Sequence, residues 1–223
     1  MDFEPPAMFG AWVDCWRRAI IAARSHGVDE SAIRLEIAPP ATEEQVRQVE
    51  TTLKFRLPEQ FRQTLLEFSG RVHFFWYLRR DDAPPGPLSG VFCGSCSWDI
   101  ERLFEEYQQV VWLSQNAFVR DVPDEVIWKD KLPFHWIASG DFIVLDQTSG
   151  RVVYLGRELE GSHAHCLGRD FFDFMHRWTS LGCPDDDIWD RFTRSKDSYI
   201  DLDHDNARQW CQWFGLPQPS RVP

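Results

Sequence analysis

Two consecutive helix starts constrain the fold of this chain more than any other feature of its sequence. Pro39-Pro40 lead to Thr42, and Gln45 lies three residues further on, which is the pattern of a capping box. Leu57-Pro58 then ends the first helix and begins the second, because proline is tolerated at the first helical position. Ser69-Gly70 ends the second helix. The sequence therefore predicts two short successive helices ahead of the first predicted strand.

Hydrophobic periodicity predicts further helices towards both ends of the chain and strands between them. In order, the predicted elements are a helix over residues 8–26, the two helices above, strands over 72–78 and 88–92, a helix from Trp98, strands over 141–146 and 151–155, a helix capped by Asp170, a short helix over 184–192 and a last helix through Ala207 to Phe214. The turn over 147–150 joins two of these strands as a hairpin. Helices first, strands in the middle and helices last predict an α+β fold with a mainly antiparallel sheet.

Large aromatic residues are unusually frequent, with 11 Trp and 17 Phe in 223 residues. Aromatic side chains bury large areas and also dominate the energetics of interfaces. Because most of them fall at helical or strand spacing, we expect the majority in the core.

The order and spacing of the segments resemble the SUKH superfamily, which includes fungal regulators of cell-wall assembly and many bacterial immunity proteins. The segments that carry the resemblance are Ala41–Val46, Val49-Glu50, Leu57–Arg62 and Phe68–Gly70, followed by Trp136-Ile137, Gly140–Asp146, Gly150–Tyr154 and Asp170–Phe174. The resemblance spans roughly residues 41–180. It departs from the usual pattern at Ser69, where the superfamily often has Asn, and it does not extend to residues 1–35 or 182–223.

The resemblance implies a single SUKH-like domain over residues 1–223. We expect a core of about 36–180 with a twisted sheet of about five to six strands, a usual sheet size. The N-terminal helix over 8–26 and a helical extension over 182–216 would flank this core. The resemblance also implies an absence of catalytic machinery and a role in binding another protein, for bacterial members usually a toxin.

The formal net charge of −11 and the pI near 5.1 indicate the kind of partner to expect. Nucleic acid or an anionic membrane would require a basic surface, so neither is expected. An acidic protein attracts basic partners, which suggests a basic toxin domain, although acidity also serves solubility alone. Two acidic clusters are candidate contact residues: Asp185, Asp186 and Asp187, and Asp201, Asp203 and Asp205. The alternative for both clusters is that they stabilise helix N-termini.

Cysteine and histidine residues offer one constellation with the spacing of a metal site. Five residues form it: Cys93, Cys96, His163, His165 and Cys166. A zinc site needs four such ligands, but one two-residue spacing alone is a weak signal. The alternative for Cys93 and Cys96 is that Gly94-Ser95 forms a turn with a thiol on each side. We therefore expect no metal and no cofactor.

Asp141 and Asp146 flank a predicted strand and form a second candidate pair. Paired carboxylates can perform general acid–base catalysis, but aspartates at strand ends more often stabilise turns. We favour the turn role for both residues.

Residues 1–30 lack the pattern of a secretory signal, and the longest apolar stretches are too short to cross a bilayer. The six cysteines show no disulfide framework, so reduced thiols in the cytoplasm are expected. The sequence thus predicts a cytoplasmic, non-catalytic immunity protein, a monomer or weak homo-oligomer, that neutralises a toxin by stoichiometric binding. A regulatory or scaffold protein and a small zinc-dependent enzyme are the alternatives.

Overall fold

The computed structural model describes residues 5–79, 82–84, 86–115, 128–137, 139–156, 163–185 and 188–219. Within these residues the helices are α1 (Pro5–Ser25), α2 (Glu43–Leu53), α3 (Glu59–Glu67), α4 (Leu103–Gln115), α5 (Phe171–Ser180) and α6 (Asp205–Phe214). The strands are β1 (Ile33–Ile37), β2 (Arg71–Tyr77), β3 (Cys93–Asp99), β4 (Lys131–Trp136), β5 (Phe142–Asp146), β6 (Val152–Leu155) and β7 (Cys166–Gly168). This arrangement confirms the predicted α+β fold.

The described strands form two antiparallel sheets instead of the single sheet of five to six strands that we expected. One sheet has the order β1-β2-β3 and the other has the order β4-β5-β6-β7. β3 and β4 lie side by side. Part of the free edge of β3 is occupied by residues 183–185, because Ser95 N–H donates to Cys183 O at 2.9 Å and Asp185 N–H donates to Cys93 O at 3.1 Å. This short segment interrupts what would otherwise be one continuous sheet.

The local signals read from the sequence produce the expected structures. Gln45 N–H donates to Thr42 Oγ1 at 3.2 Å, and Thr42 N–H donates to Gln45 Oε1 at 2.8 Å, so the capping box is formed. Asp170 caps α5 by accepting a hydrogen bond from Asp173 N at 2.9 Å. β5 and β6 pair as the predicted hairpin. Each of these interactions spans only a few residues of sequence.

Three predictions of secondary structure were wrong. Residues 88–92 form no strand, and a 3₁₀ turn occupies Gly86–Leu88. Residues 93–99 are a continuous strand in which burial alternates, so Gly94-Ser95 is not a turn. Pairing with β2 along its whole length overrides the local turn signal there. The helix predicted from Trp98 forms, but it begins only at Leu103, as α4. Among the described residues of 184–192, a 3₁₀ turn over Trp189–Arg191 forms in place of the predicted helix.

An aromatic core lies between the sheets and the helices α1, α3, α5 and α6. Among its fully buried members are Trp12, Trp16, Trp76, Trp98, Trp178, Trp189, Trp210, Phe61, Phe74 and Phe134. This burial confirms that most of the aromatic excess belongs to the core. A smaller cluster with Val110 and Trp128 covers the other face of the second sheet, where Phe142 and Val144 point away from the main core.

α4 provides Val110 to the smaller cluster and so lies over the outer face of the second sheet, against β4. Across the described residues, no helix combines the length and the apolar character that a membrane span requires.

Candidate functional site

The residues of the first sequence motif are engaged inside the protein, where they join helices to one another. Gln60 Oε1 accepts a hydrogen bond from Phe172 N at 3.0 Å at the start of α5. Arg62 forms an ion pair with Glu43 and lies 3.4 Å from Glu50, which also accepts a hydrogen bond from Leu57 N at 3.0 Å. α2, α3 and α5 are therefore held in register by this motif.

Ser69 and Gly70 end the motif at a close approach of two segments of backbone. The buried Ser69 hydroxyl donates to Ala38 O at 2.7 Å. A Cβ atom on Gly70 would lie 3.2 Å from the Cβ of Ala41, tighter than ordinary contact. Ser69 thus supplies a polar side chain at the position where the superfamily often has Asn, and it satisfies a buried carbonyl.

The five candidate zinc ligands do not converge. Cys93 and Cys96 lie three residues apart on β3, so their side chains point to opposite faces of the strand. His163 stacks on Trp128, and His165 lies 3.1 Å from the hydroxyl of Thr193. In the part of the chain that the structure describes, no three His, Cys, Asp or Glu side chains cluster as metal ligands would. These five residues therefore do not come together in the way that the zinc-enzyme alternative requires of them.

Asp146 takes the turn role that we favoured, whereas the carboxylate of Asp141 bonds a side chain on β6. Asp141 accepts a hydrogen bond from the hydroxyl of Tyr154 at 2.8 Å. Asp146 accepts hydrogen bonds from two amides of the hairpin turn and lies 2.8 Å from Lys131 Nζ. Partial burial opposes ionisation of Asp146, but the hydrogen bonds from Lys131 and the turn amides outweigh it and lower its pKa.

A buried group of Ser95, His135 and Asp185, which we call the junction, lies where the two sheets meet. His135 Nε2 is 3.0 Å from Ser95 Oγ and 3.5 Å from Asp185 Oδ2. Ser95 Oγ also donates to Asp185 Oδ2. Ser97 N–H donates to His135 Nδ1 at 3.1 Å, and the ring edge of His135 packs against Trp178. These residue types are those of a serine hydrolase, so the direction of their hydrogen bonds decides what they can do.

The hydrogen-bond directions at the junction differ from those of a catalytic triad. Because Nδ1 of His135 accepts the backbone N–H of Ser97, the ring proton is assigned to Nε2, which donates towards Ser95. A catalytic histidine has the opposite arrangement, with Nε2 accepting the serine proton and Nδ1 donating to the carboxylate. Only 1% of His135 is exposed, so the group is also closed to a substrate. The junction therefore ties β3, β4 and residues 183–185 together.

In the first acidic cluster the structure describes Asp185, and this residue is not part of the surface that we predicted. Asp185 is only 4% exposed, because its carboxylate belongs to the junction and its backbone pairs with β3. Its prediction as a contact residue was wrong. Asp186 and Asp187 lie outside the described residues. Sequence reasoning had no local signal for this burial, since Ser95 and His135 are 90 and 50 residues away in the chain.

The second acidic cluster lies just before α6 and at its first residue. Arg194 pairs with Asp201, and Arg208 pairs with Asp203 at 3.0 Å. Burial raises the pKa of Asp201, but the hydrogen bond from Arg194 outweighs it, and the net shift is downwards. Asp205 is the exposed first residue of α6. Two of the three carboxylates thus already have a cationic partner within the chain.

An open groove, which we call the α4 groove, lies between α4 and the β4–β5 hairpin. It has a volume of about 360 Å³ and is lined by Glu105, Gln109 and Trp112 from α4 and by Trp136 and Phe142 from the hairpin. Trp112 is 61% exposed. Sequence reasoning missed it, although Trp112 stands two residues beyond the buried Val110 and so falls off the core-facing stripe of α4.

With this geometry in place, comparison with known proteins decides the family. The sequence profile of the SMI1/KNR4 family (SUKH-1) matches residues 40–177, more than half of the chain. The chain belongs to the SMI1/KNR4 family (SUKH-1). This confirms the resemblance read from the sequence. No curated protein matches the chain.

The region matched by the SUKH-1 profile contains only part of the junction but every named residue of the α4 groove. Ser95 and His135 lie inside the matched region, whereas Asp185 lies beyond it. The junction therefore attaches the C-terminal extension to the family core of this SUKH-1 protein. Every residue of the α4 groove named above lies inside the matched region.

Proposed function

We propose that this SUKH-1 protein is a non-catalytic binding module that neutralises a cognate toxin by direct, stoichiometric contact. Membership of the SMI1/KNR4 family carries this proposal, because the SUKH superfamily that the sequence resembles includes many bacterial immunity proteins. The acidity of the chain, with 35 acidic against 24 basic residues, favours a basic toxin domain as the partner.

The junction supports a role without catalysis. It contains the residue types of a hydrolytic triad, but His135 donates towards Ser95 where a general base would accept its proton. The candidate zinc ligands are dispersed among the described residues. Binding is therefore the function that the described chemistry favours.

The proposal is tested by co-expressing the protein with the C-terminal domain of the protein encoded immediately upstream of its own gene, where we expect the cognate toxin. We expect rescue of growth and a one-to-one complex on size-exclusion chromatography. The affinity should fall as salt is raised, because exposed charges are screened within about 10 Å at 0.1 M ionic strength. A toxin that kills in the presence of the intact, folded protein would overturn the proposal.

Ser95→Ala separates binding from catalysis in the same assay. If protection depends on binding, this variant should still rescue growth and co-purify at one-to-one stoichiometry, provided that circular dichroism shows it folded. Protection at far below one molecule per toxin, abolished by Ser95→Ala, would indicate turnover instead of binding.

A further inference from the structure

We propose that the α4 groove is the contact site for a basic segment of the partner protein. The segment would lay the aliphatic stem of an arginine or lysine across Trp112 and direct its cationic head towards Glu105. This inference rests on the proposed function, since it locates the surface that the binding module uses.

The exposure of Trp112 is the first observation behind this inference. Seven tryptophans are among the largest fully buried side chains of the protein, whereas 61% of Trp112 is open to solvent. Glu105, Gln109 and Trp112 recur at positions i, i+4 and i+7, so they form one stripe along α4. The stripe faces the half-buried Trp136, which itself packs on Phe142 with ring centroids 5.1 Å apart. An exposed indole beside a second aromatic pair is the composition of an interface hot spot.

The charge of the groove selects the chemistry of its occupant. Glu105 is the one ionisable side chain among the described residues that line it, and no lysine or arginine is among them. Arginine and lysine pack their apolar stems along apolar surface while their charged heads reach a polar group, which suits an indole with a carboxylate nearby. Glu105 and Trp112 lie seven positions apart on the helix, a rise of about 10 Å. An extended arginine side chain whose stem crosses the indole can therefore approach the carboxylate at the other end of the stripe.

The same charge argues against a second copy of this chain as the occupant. Each copy carries a net charge of −11, so two acidic surfaces would repel one another at low salt. A partner with the opposite charge gains both steering and the contact with the indole. The groove thus fits a basic protein segment better than self-association.

A peptide titration tests the preference of the groove. The probe is a hexa-arginine peptide, and the readout is the set of tryptophan indole signals of the ¹⁵N-labelled protein, with Trp112 assigned by Trp112→Phe. We expect saturable shifts of the Trp112 and Trp136 signals and none with a hexa-glutamate peptide. Shifts confined to other tryptophans, or none at all, would overturn the assignment.

Variants connect the groove to the partner itself. Trp112→Ala and Glu105→Lys should each weaken binding of the neighbouring toxin domain by about tenfold, as expected at a hot spot. Ile21→Ala, at a 63% exposed position of α1, and Glu67→Lys, at an exposed position of α3, are the matched controls. Thermal unfolding of every variant verifies that the fold is intact.

The outcomes separate this inference from the proposed function. Tight toxin binding by the wild type that neither groove variant weakens would discard the groove and leave the proposed function standing. If Glu105→Lys and Glu67→Lys weaken toxin binding equally and Trp112→Ala has no effect, the binding depends on the overall charge of the protein. That outcome would also discard the groove as the contact site. Absence of toxin binding, with the hexa-arginine peptide still seated at Trp112, would remove the proposed function and retain the groove. Dimerisation that Trp112→Ala abolishes would instead make a second copy the occupant.

Discussion

The junction and the α4 groove make opposite use of their residues. The junction holds the side chains of hydrolytic chemistry, Ser95, His135 and Asp185, but it buries them and directs their hydrogen bonds inwards. The α4 groove has no such triad, but it presents a large indole to solvent beside a carboxylate. Residue type alone would place the activity at the junction. Exposure and hydrogen-bond direction instead support our proposal that the contact surface is the groove.

The comparison also shows how a segment can be added to a family fold. The junction attaches residues beyond the SUKH-1 match by a carboxylate and by backbone pairing to β3. The groove lies entirely within the match and involves no residue of that addition. The attachment of the added segment and the proposed contact surface are therefore formed by different residues in the described structure, and variants at the two should behave differently.

The largest expected effect follows the loss of His135. His135→Ala leaves Ser97 N–H and the Ser95–Asp185 pair without their imidazole partner and opens a cavity beside Trp178. We expect the free energy of unfolding to fall by about 3–4 kcal/mol, from unsatisfied buried groups and the cavity together. Urea unfolding followed by circular dichroism measures it. His73→Ala, at a half-buried histidine of β2, is the control, and an equal loss there would contradict the role of the junction.

An intermediate effect is expected at Glu106, which α4 turns into the interior while Glu105 faces the groove. Burial raises the pKa of Glu106 to about 7, since only 6% of the residue is exposed. The folded state therefore favours the protonated form. Its contribution to stability is complete below pH 4.5 and is lost as the pH rises through 7, by up to about 3 kcal/mol.

Glu106→Gln removes this pH dependence. We expect the variant to match the wild type near pH 4 and to be more stable than the wild type at pH 8, as measured by urea unfolding at both values. Glu105→Gln on the same helix should leave the difference between pH 4 and pH 8 as it is in the wild type. If the two variants behave alike, the burial assigned to Glu106 is incorrect.

Modification of the cysteine thiols is expected to have the smallest effect on stability. The rate of modification of each cysteine reports how buried it is around the junction. Cys15 and Cys93 are half-buried, whereas Cys96, Cys166, Cys183 and Cys211 are buried. Burial also raises the pKa of Cys211 to about 12, which suppresses its reactive thiolate. A disulfide reagent should therefore modify two thiols quickly in the native protein and all six in urea. Cys93→Ser should reduce the fast class to one, and fast modification of Cys96 would contradict the packing of β3.

Sequence reasoning predicted best where the deciding contacts are local. The capping box of Thr42 and Gln45 spans four residues, and the hairpin turn is held by Asp146 across three. The strands β1, β3, β4 and β7 were not predicted. β1 and β3 are defined by pairing along β2, which neighbouring residues do not reveal. The candidate sites also depend on long-range contacts. The sequence therefore did not predict the role of any residue that we now place in the junction or the groove.

The sequence by itself determined the family, the α+β class and the helix boundaries at Thr42, Asp170 and Gly215, because each depends on ordered local signals. Only the tertiary structure decided that Asp185 is internal and that Trp112 is external. Both outcomes depend on partners brought together from distant parts of the chain. An aspartate is buried where a hydroxyl and an imidazole receive it, and a tryptophan stays exposed where its helix turns it away from the core.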